Sequence, residues 1–201
     1  SLAALAAAAR GATVAVVAKD FLDVTNTAWA QGGVAAVLSS EDSFEAHIQD
    51  TLEAGRGLSE PDVVRLVVEQ GPGAIRRLAE LGTHFDRDAD GDFDLSREGG
   101  HSHARIVHAR GDATGREIQG ALVHALENQP DIDVFAQVHA IDLLSDEAGA
   151  VVGVLCRTRS GDLVSYIASQ VILATGGAGQ IWRETTNPPV ATADGLAMAV
   201  R

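Results

Sequence analysis

Three stretches of the sequence combine residue types and spacings suited to chemistry. The densest is Arg97-Glu98-Gly99-Gly100-His101-Ser102-His103, with Arg105 and His108 shortly after it. On a strand, a His-x-His pair turns both rings to one face, which raises a metal site. Zinc wants three or four ligands and a supporting shell, and no further ligand stands clearly nearby. Histidines beside Arg97 and Arg105 suit recognition of a carboxylate anion better, with a solvated polar loop as the plain alternative. The second stretch is Asn26-Thr27-Ala28-Trp29-Ala30-Gln31-Gly32-Gly33. Small polar residues and paired glycines after a strand let a backbone press against a flat or phosphorylated ligand, or simply turn. The third is Ala174-Thr175-Gly176-Gly177-Ala178, followed later by Asp194. An apolar strand running into small residues marks the crevice where doubly wound folds hold dinucleotides, and reads equally well as a tight turn. Asp194 opens a helix, either as an ordinary N-cap or as an acceptor for a ribose or ribityl hydroxyl.

The elements that must position these groups follow from apolar periodicity. Ser1–Arg10 predicts a helix stopped by Gly11, and Thr13–Ala18 a buried strand that ends at Lys19. Ser40 is expected to cap a helix with Glu41 and Asp42 in its first turn and Phe44, Ile48 and Leu52 on its buried stripe. Ser59-Glu60-Pro61-Asp62 opens another helix, which Gly71-Pro72-Gly73 is expected to break and Gly82 to end. Asp86–Gly91 begins like a calcium loop, but its twelfth position is Arg97 where a bidentate Glu is needed, so a hairpin with an Asp-Gly turn is expected. Asp112-Ala113-Thr114-Gly115 caps a helix with the stripe Ile118, Ala121, Leu122 and Ala125. Three β runs between Ile132 and Ala168, joined at Asp146–Gly149 and Ser160–Asp162, predict an antiparallel meander. Gln170–Ala174 reads as one more buried strand and Asp194–Arg201 as a helix. The fold class expected is α/β: a Rossmann-like domain with a mainly parallel sheet plus a three-stranded antiparallel meander.

Composition narrows the function classes. The 201 residues are 46% hydrophobic and 21% charged, as in one soluble globular domain or part of a larger one. A formal charge of −13 and the lack of any basic cluster argue against a nucleic-acid groove. Cys156 is the only cysteine, which removes a disulfide framework and a thiolate metal cage. No apolar run approaches the roughly 20 residues of a membrane span, and the apolar Ser1–Ala9 stretch lacks the basic flank of a signal peptide.

Taken together and in order, Thr27–Gly33, Arg97–His103, Asp112–Arg116, Ala174–Ala178 and Asp194–Ala199 resemble the L-aspartate oxidases, within the succinate dehydrogenase and fumarate reductase flavoprotein superfamily. The resemblance covers essentially the whole chain. It implies oxidation of L-aspartate to iminoaspartate with hydride transfer to FAD, reoxidation by oxygen or fumarate, and a place in NAD biosynthesis. It further implies quinolinate synthase as a candidate partner and a cytoplasmic location, while charge and apolar-run length lead to the expectation of no nucleic-acid and no membrane partner. Lys19, Asn26, Thr27, Ala28, Trp29, Ala30, Gln31, Gly32 and Gly33 would line FAD, with Thr175, Gly176, Gly177 and Asp194. Respiratory relatives carry, at the position of Asn26, a His that bonds covalently to FAD; Asn26 implies non-covalent FAD. They usually carry a bulky apolar residue at the position of Glu98. A carboxylate there would face the substrate ammonium, with His101 and His103 in supporting roles, the plain alternative for Glu98 being a surface salt bridge with a neighbouring Arg. The family pattern also implies that residues 1–201 are part of an FAD-binding domain. Its glycine-rich phosphate turn would end about two residues before Ser1, with the capping domain and the carboxylate-clamping arginines after Arg201. An inactive isolated piece is the corresponding expectation. The alternatives are a fumarate- or succinate-handling relative and a non-catalytic interaction module.

Overall fold

The computed structural model describes residues 1–201. In chain order the elements are α1 (Leu2–Ala8), β1 (Val14–Val17), α2 (Asn26–Trp29), β2 (Val34–Ala35), α3 (Phe44–Ala54), α4 (Pro61–Glu80), β3 (Leu95–Ser96), β4 (Ile106–Val107), α5 (Thr114–Glu127), β5 (Ile132–Phe135), β6 (His139–Ser145), β7 (Val151–Arg157), β8 (Leu163–Ile167) and α6 (Asp194–Val200). They divide into two compact units, one of residues 1–29 and 123–201, the other of residues 30–122.

The first unit holds the parallel pairing. β1 and β5 run parallel with Val14 opposite Ile132 and Val17 opposite Phe135, and α1 packs on both strands. Leu5, Ala8, Leu126, Ile132 and Val138 are the buried apolar residues around this pairing. β6, β7 and β8 form the expected antiparallel meander, with turns at Asp146–Gly149 and Thr158–Gly161. The first of the three β runs is split: Gln137, at φ 58°, separates β5 from β6, so its two halves join different sheets. Cys156 lies fully buried on β7, where burial raises its thiol pKa.

The second unit is built on β2-β4-β3, a three-stranded antiparallel sheet, with α3 and α4 packed together. Its core gathers Ala36, Ile75, Phe85, Val107, Ala109, Ile118 and Leu122. A second cluster joins Ile48 to Val64 and Val68, with Phe44 and Leu52 against it, as the α3 stripe predicts.

The α/β class and the meander agree with the sequence reading, and four local expectations are corrected. α3 begins at Phe44, because Ser43 rather than Ser40 accepts the capping hydrogen bond, from Ala46 N. The Gly71-Pro72-Gly73 break does not occur; α4 runs through it to Glu80. Val64, Val68, Pro72 and Ile75 are all buried on one stripe, and burying that stripe outweighs the one backbone hydrogen bond Pro72 cannot donate. Asn26–Trp29 is one helical turn rather than open loop, closed by Trp29 N donating to Thr25 O and Ala28 N donating to Thr25 Oγ1. Residues 170–174 form no strand, since no strand of any sheet runs beside them; Ile172 is 67% exposed. No helix is long and apolar enough to cross a membrane.

Candidate functional site

In the first unit the candidate residues meet at the carboxyl end of β1. Ala18 N donates to Phe135 O and Val138 N donates to Ala18 O, so the backbone is pinned until Lys19 emerges. Lys19 Nζ donates to Asp194 Oδ2 at 2.5 Å and to Thr192 Oγ1. Thr192 Oγ1 in turn lies 3.0 Å from both oxygens of Asp194. Burial alone would raise the Asp194 carboxyl pKa, but the hydrogen bonds from Lys19 and Thr192 and the nearby cationic charge hold it below the usual carboxylate value. Asp194 is thus an anion at neutral pH. It is the first helical residue of α6, not the cap; that position is Ala193, in a left-handed conformation at φ 63°.

Ala193 N donates to Gly177 O, which ties the start of α6 to the Thr175-Gly176-Gly177 segment. Gly176 sits at φ 73°, a conformation side chains disfavour, beside the Asn26 amide. A Cβ on Gly177 would meet nothing within 4 Å, and the N–H groups of residues 175–177 donate to no acceptor in the chain. Unpaired backbone donors, an anionic acceptor and an ammonium on small residues suit the hydroxyl and phosphate groups of a nucleotide.

In the second unit, Ala30 O accepts from Gly115 N, and Gly33 lies flat against β4. A Cβ on Gly33 would overlap Ile106 Cγ2 and the Val107 carbonyl oxygen, so packing alone demands glycine there. Gly32, at φ 71°, passes near Glu98 Oε1. Glu98 is 49% exposed and lies 3.3 Å from His108 Nε2 through Oε1. His108 Nε2 is also 2.9 Å from Ser96 Oγ.

Arg105 is 0% exposed and is spent on two aspartates. Its Nε and Nη2 donate to Asp42 at 2.8 and 2.7 Å, and its Nη1 donates to Asp50 at 2.7 Å. Asp50 Oδ2 also accepts from Ser102 N and Ser102 Oγ. Burial would raise the Asp50 carboxyl, but the Ser102 and Arg105 hydrogen bonds bring it down to about 2. Asp42 is likewise held low: against the upward push of burial stand the Arg105 hydrogen bonds, one from Ser43 N, and the Arg105 and His103 charges. His101 Nδ1 approaches Arg105 at 3.4 Å and its ring meets that of His47 edge-on at 5.7 Å. His47 is buried with Nδ1 unpartnered; burial first, then the Arg105 and His101 charges, lowers its pKa.

The structure therefore groups the sequence candidates differently from their spacing. Lys19, Asn26, Thr175–Gly177 and Asp194 come together in the first unit, with Thr27, Ala28 and Trp29 on the α2 turn. Ala30, Gln31, Gly32 and Gly33 belong to the second. Glu98 pairs with His108 rather than with His101 or His103, whose stretch is not a strand. Arg105, expected beside a carboxylate ligand, is closed around two carboxylates of its own chain. Sequence reasoning missed Thr192, which lies two residues before Asp194 and carries a short hydroxyl suited to that partner. It also missed Asp42 and Asp50 as the Arg105 partners.

A cluster of polar groups at the end of a parallel strand, in an α/β unit with an antiparallel meander, matches the crevice where doubly wound folds hold dinucleotides. The family model described as FAD binding domain matches residues 2–201, and the chain belongs to that family. The chain is 48% identical over 199 residues to the chloroplastic L-aspartate oxidase of Arabidopsis thaliana, covering 96% of this chain and 30% of that protein. It is 46% identical to the L-aspartate oxidase of Streptomyces coelicolor, covering 99% of this chain and 35% of that one. Among solved structures, E. coli quinol fumarate reductase is 35% identical with a TM-score of 0.90, over 98% of this chain and 34% of that one. The Mycobacterium smegmatis Sdh1 complex is 32% identical with a TM-score of 0.91, over 100% and 36%. The chain spans about a third of the length of these relatives. The resemblance to L-aspartate oxidases is thereby borne out, and FAD is the cofactor of the family. The unpaired amides of residues 175–177 and the Lys19–Thr192–Asp194 cluster fit its sugar and phosphate groups.

Proposed function

We propose that the protein to which this chain belongs is an FAD-dependent oxidoreductase that oxidises L-aspartate to iminoaspartate, with oxygen or fumarate as the electron acceptor. The observation that carries this reading is Glu98. Its carboxylate is half exposed, beside Gly32, within the R-E-G-G-H-S-H stretch, in a chain 48% identical to a protein named L-aspartate oxidase. Bound FAD supplies the two-electron acceptor that no amino-acid side chain provides. The rest falls to the chain. Lys19, Thr192, Asp194 and the backbone of residues 175–177 hold the cofactor, Asn26 makes only non-covalent contacts with it, and Glu98 offers a fixed negative charge to the substrate ammonium. A dicarboxylate without an ammonium would meet that charge as a repulsion. His101 and His103, beside the buried Arg105, support the stretch that carries Glu98.

The same proposal includes a role in NAD biosynthesis, transfer of the product to quinolinate synthase, a cytoplasmic location, and inactivity of residues 1–201 alone. The second reading, a fumarate- or succinate-handling flavoprotein with non-covalent FAD, draws on the 35% identity to quinol fumarate reductase. Anaerobic mixing of the full-length holoprotein with each substrate separates the two. Bleaching of the flavin by L-aspartate and not by succinate supports aspartate oxidation; bleaching by succinate alone would overturn it.

A further inference from the structure

His108 lies just after β4, opposite β3 in the same sheet, and is held from several sides. Val107 pairs with Val34 and Leu95, the neighbouring β4 residue Ile106 pairs with Ser96, and His108 O accepts from Asp86 N at 2.8 Å. Gly33 packs so closely over the ring that a Cβ there would stand 3.0 Å from His108 Cε1. The ring is therefore positioned by three strands' worth of backbone, with its Nε2 fixed 2.9 Å from Ser96 Oγ and 3.3 Å from Glu98 Oε1. Glu98, by contrast, stands two residues beyond β3 at the start of a turn closed by His101 N donating to Glu98 O. No other side chain holds its carboxylate. The His108 ring thus stands within ion-pair distance of the Glu98 carboxylate while its Nε2 shares a hydrogen bond with Ser96 Oγ. The contact engages only Oε1, so the second oxygen keeps its lone pairs for another donor.

We infer that His108 is the positioning residue of Glu98: its ring, packed under Gly33 with Nε2 3.3 Å from Oε1, holds one carboxylate oxygen so that the other meets the ammonium of an amino-dicarboxylate, and it thereby sets discrimination between amino- and plain dicarboxylates. This inference rests on the reading of Glu98 given above. It assigns the specificity to a pair 10 residues apart in sequence and joined across the β3-β4 hairpin sheet. Without the imidazole, Glu98 keeps its charge but loses its direction. Loss of a partly exposed ion-pair contact of this kind corresponds to a change of up to about fivefold in an equilibrium constant.

The test uses the full-length holoprotein and two constants, the KM for L-aspartate and the inhibition constant of succinate, with calorimetric binding of succinate as the readout independent of turnover. His108→Leu is expected to raise the KM for L-aspartate about fivefold, to change kcat by less than about twofold, and to leave succinate binding unchanged or tighter. His108→Gln, which retains an N–H donor, should recover most of the loss. Ser96→Ala, a smaller change that frees the ring, should shift KM in the same direction about twofold if His108→Leu does not fold. In a Glu98→Gln background, His108→Leu should add little, because the carboxylate it orients is gone. A His108→Leu effect that is equal for both ligands, or that persists undiminished in the Glu98→Gln background, overturns the role of His108 alone. Unchanged discrimination in Glu98→Gln itself overturns the reading of Glu98, and the inference with it.

Discussion

Lys19 and Arg105 are both cations held by aspartates, yet they stand in opposite circumstances. Arg105 is wholly buried, and its partners Asp42 and Asp50 are at most 16% exposed. Its bonds run to α3 and to the segment just before it, and Ser102 shares the Asp50 carboxylate. Nothing in that cluster is left for a ligand. Lys19 and Asp194 are 26% and 30% exposed, sit where a strand ends, and adjoin backbone amides that no group in the chain satisfies. A motif cation closed on all sides by its own chain, as Arg105 is, has no hydrogen-bonding capacity left for a ligand, whereas a partly exposed one such as Lys19 does. Arg105 and Ser102 tie the segment after Glu98 to α3, whereas the Lys19–Asp194 pair stays partly open to solvent.

Substitution and pH should separate the two clusters. The largest effect is expected from Arg105→Met, which strands two buried carboxylates and should cost about 3–5 kcal/mol, seen as a lower urea midpoint. Adding Asp42→Asn and Asp50→Asn should restore part of that loss. A cost below about 1 kcal/mol would place Arg105 with the surface pairs instead.

Acid comes next. The Asp50 carboxyl is lowered to about 2 in the fold, below an unfolded value near 3.9. Its contribution is therefore fully present above about pH 4 and disappears as pH falls toward 2, on the order of 2 kcal/mol. Asp50→Asn should remove that share of the slope in pH-dependent urea melts. His47 carries a second, higher window. Its pKa is lowered by burial, so the unfolded chain binds the proton more tightly, and stability declines as pH drops below about 6.5. His47→Gln should flatten the curve there.

Gly33→Ala should cost about 1–3 kcal/mol, because its Cβ meets the backbone of β4, while Gly177→Ala should leave the urea midpoint unchanged because its Cβ meets open space. Equal costs would contradict the assignment of Gly33 to packing. The smallest stability effect belongs to Lys19→Met, at most about 1 kcal/mol for a partly exposed pair. Its flavin affinity, read by fluorescence titration of the full-length protein, should nevertheless fall about tenfold.

Much of this was legible in the sequence because it depends on local chemistry. The α3 stripe of Phe44, Ile48 and Leu52, the Pro61 helix start, the meander turns and the strand ending at Lys19 follow from spacing and turn residues. The failures share a cause: each depends on a partner far away in sequence. Pro72 stays within α4 because its helix face is buried, and residues 170–174 fail as a strand because no ladder runs beside them. Arg105 looks like a ligand-binding cation until Asp42 and Asp50 arrive, 63 and 55 positions earlier. The same distance hides the Glu98–His108 pair, since spacing along a chain cannot show that β3 and β4 lie side by side.

The division of labour between the two units is tested most directly by measuring flavin affinity and the KM for L-aspartate in parallel on Asp194→Asn and Glu98→Gln of the full-length protein. A crossed result is expected: Asp194→Asn loosens flavin about tenfold and leaves KM at saturating flavin unchanged, whereas Glu98→Gln raises KM and leaves flavin affinity intact. Variants that shift both constants together, or a Glu98→Gln that releases flavin, would contradict it.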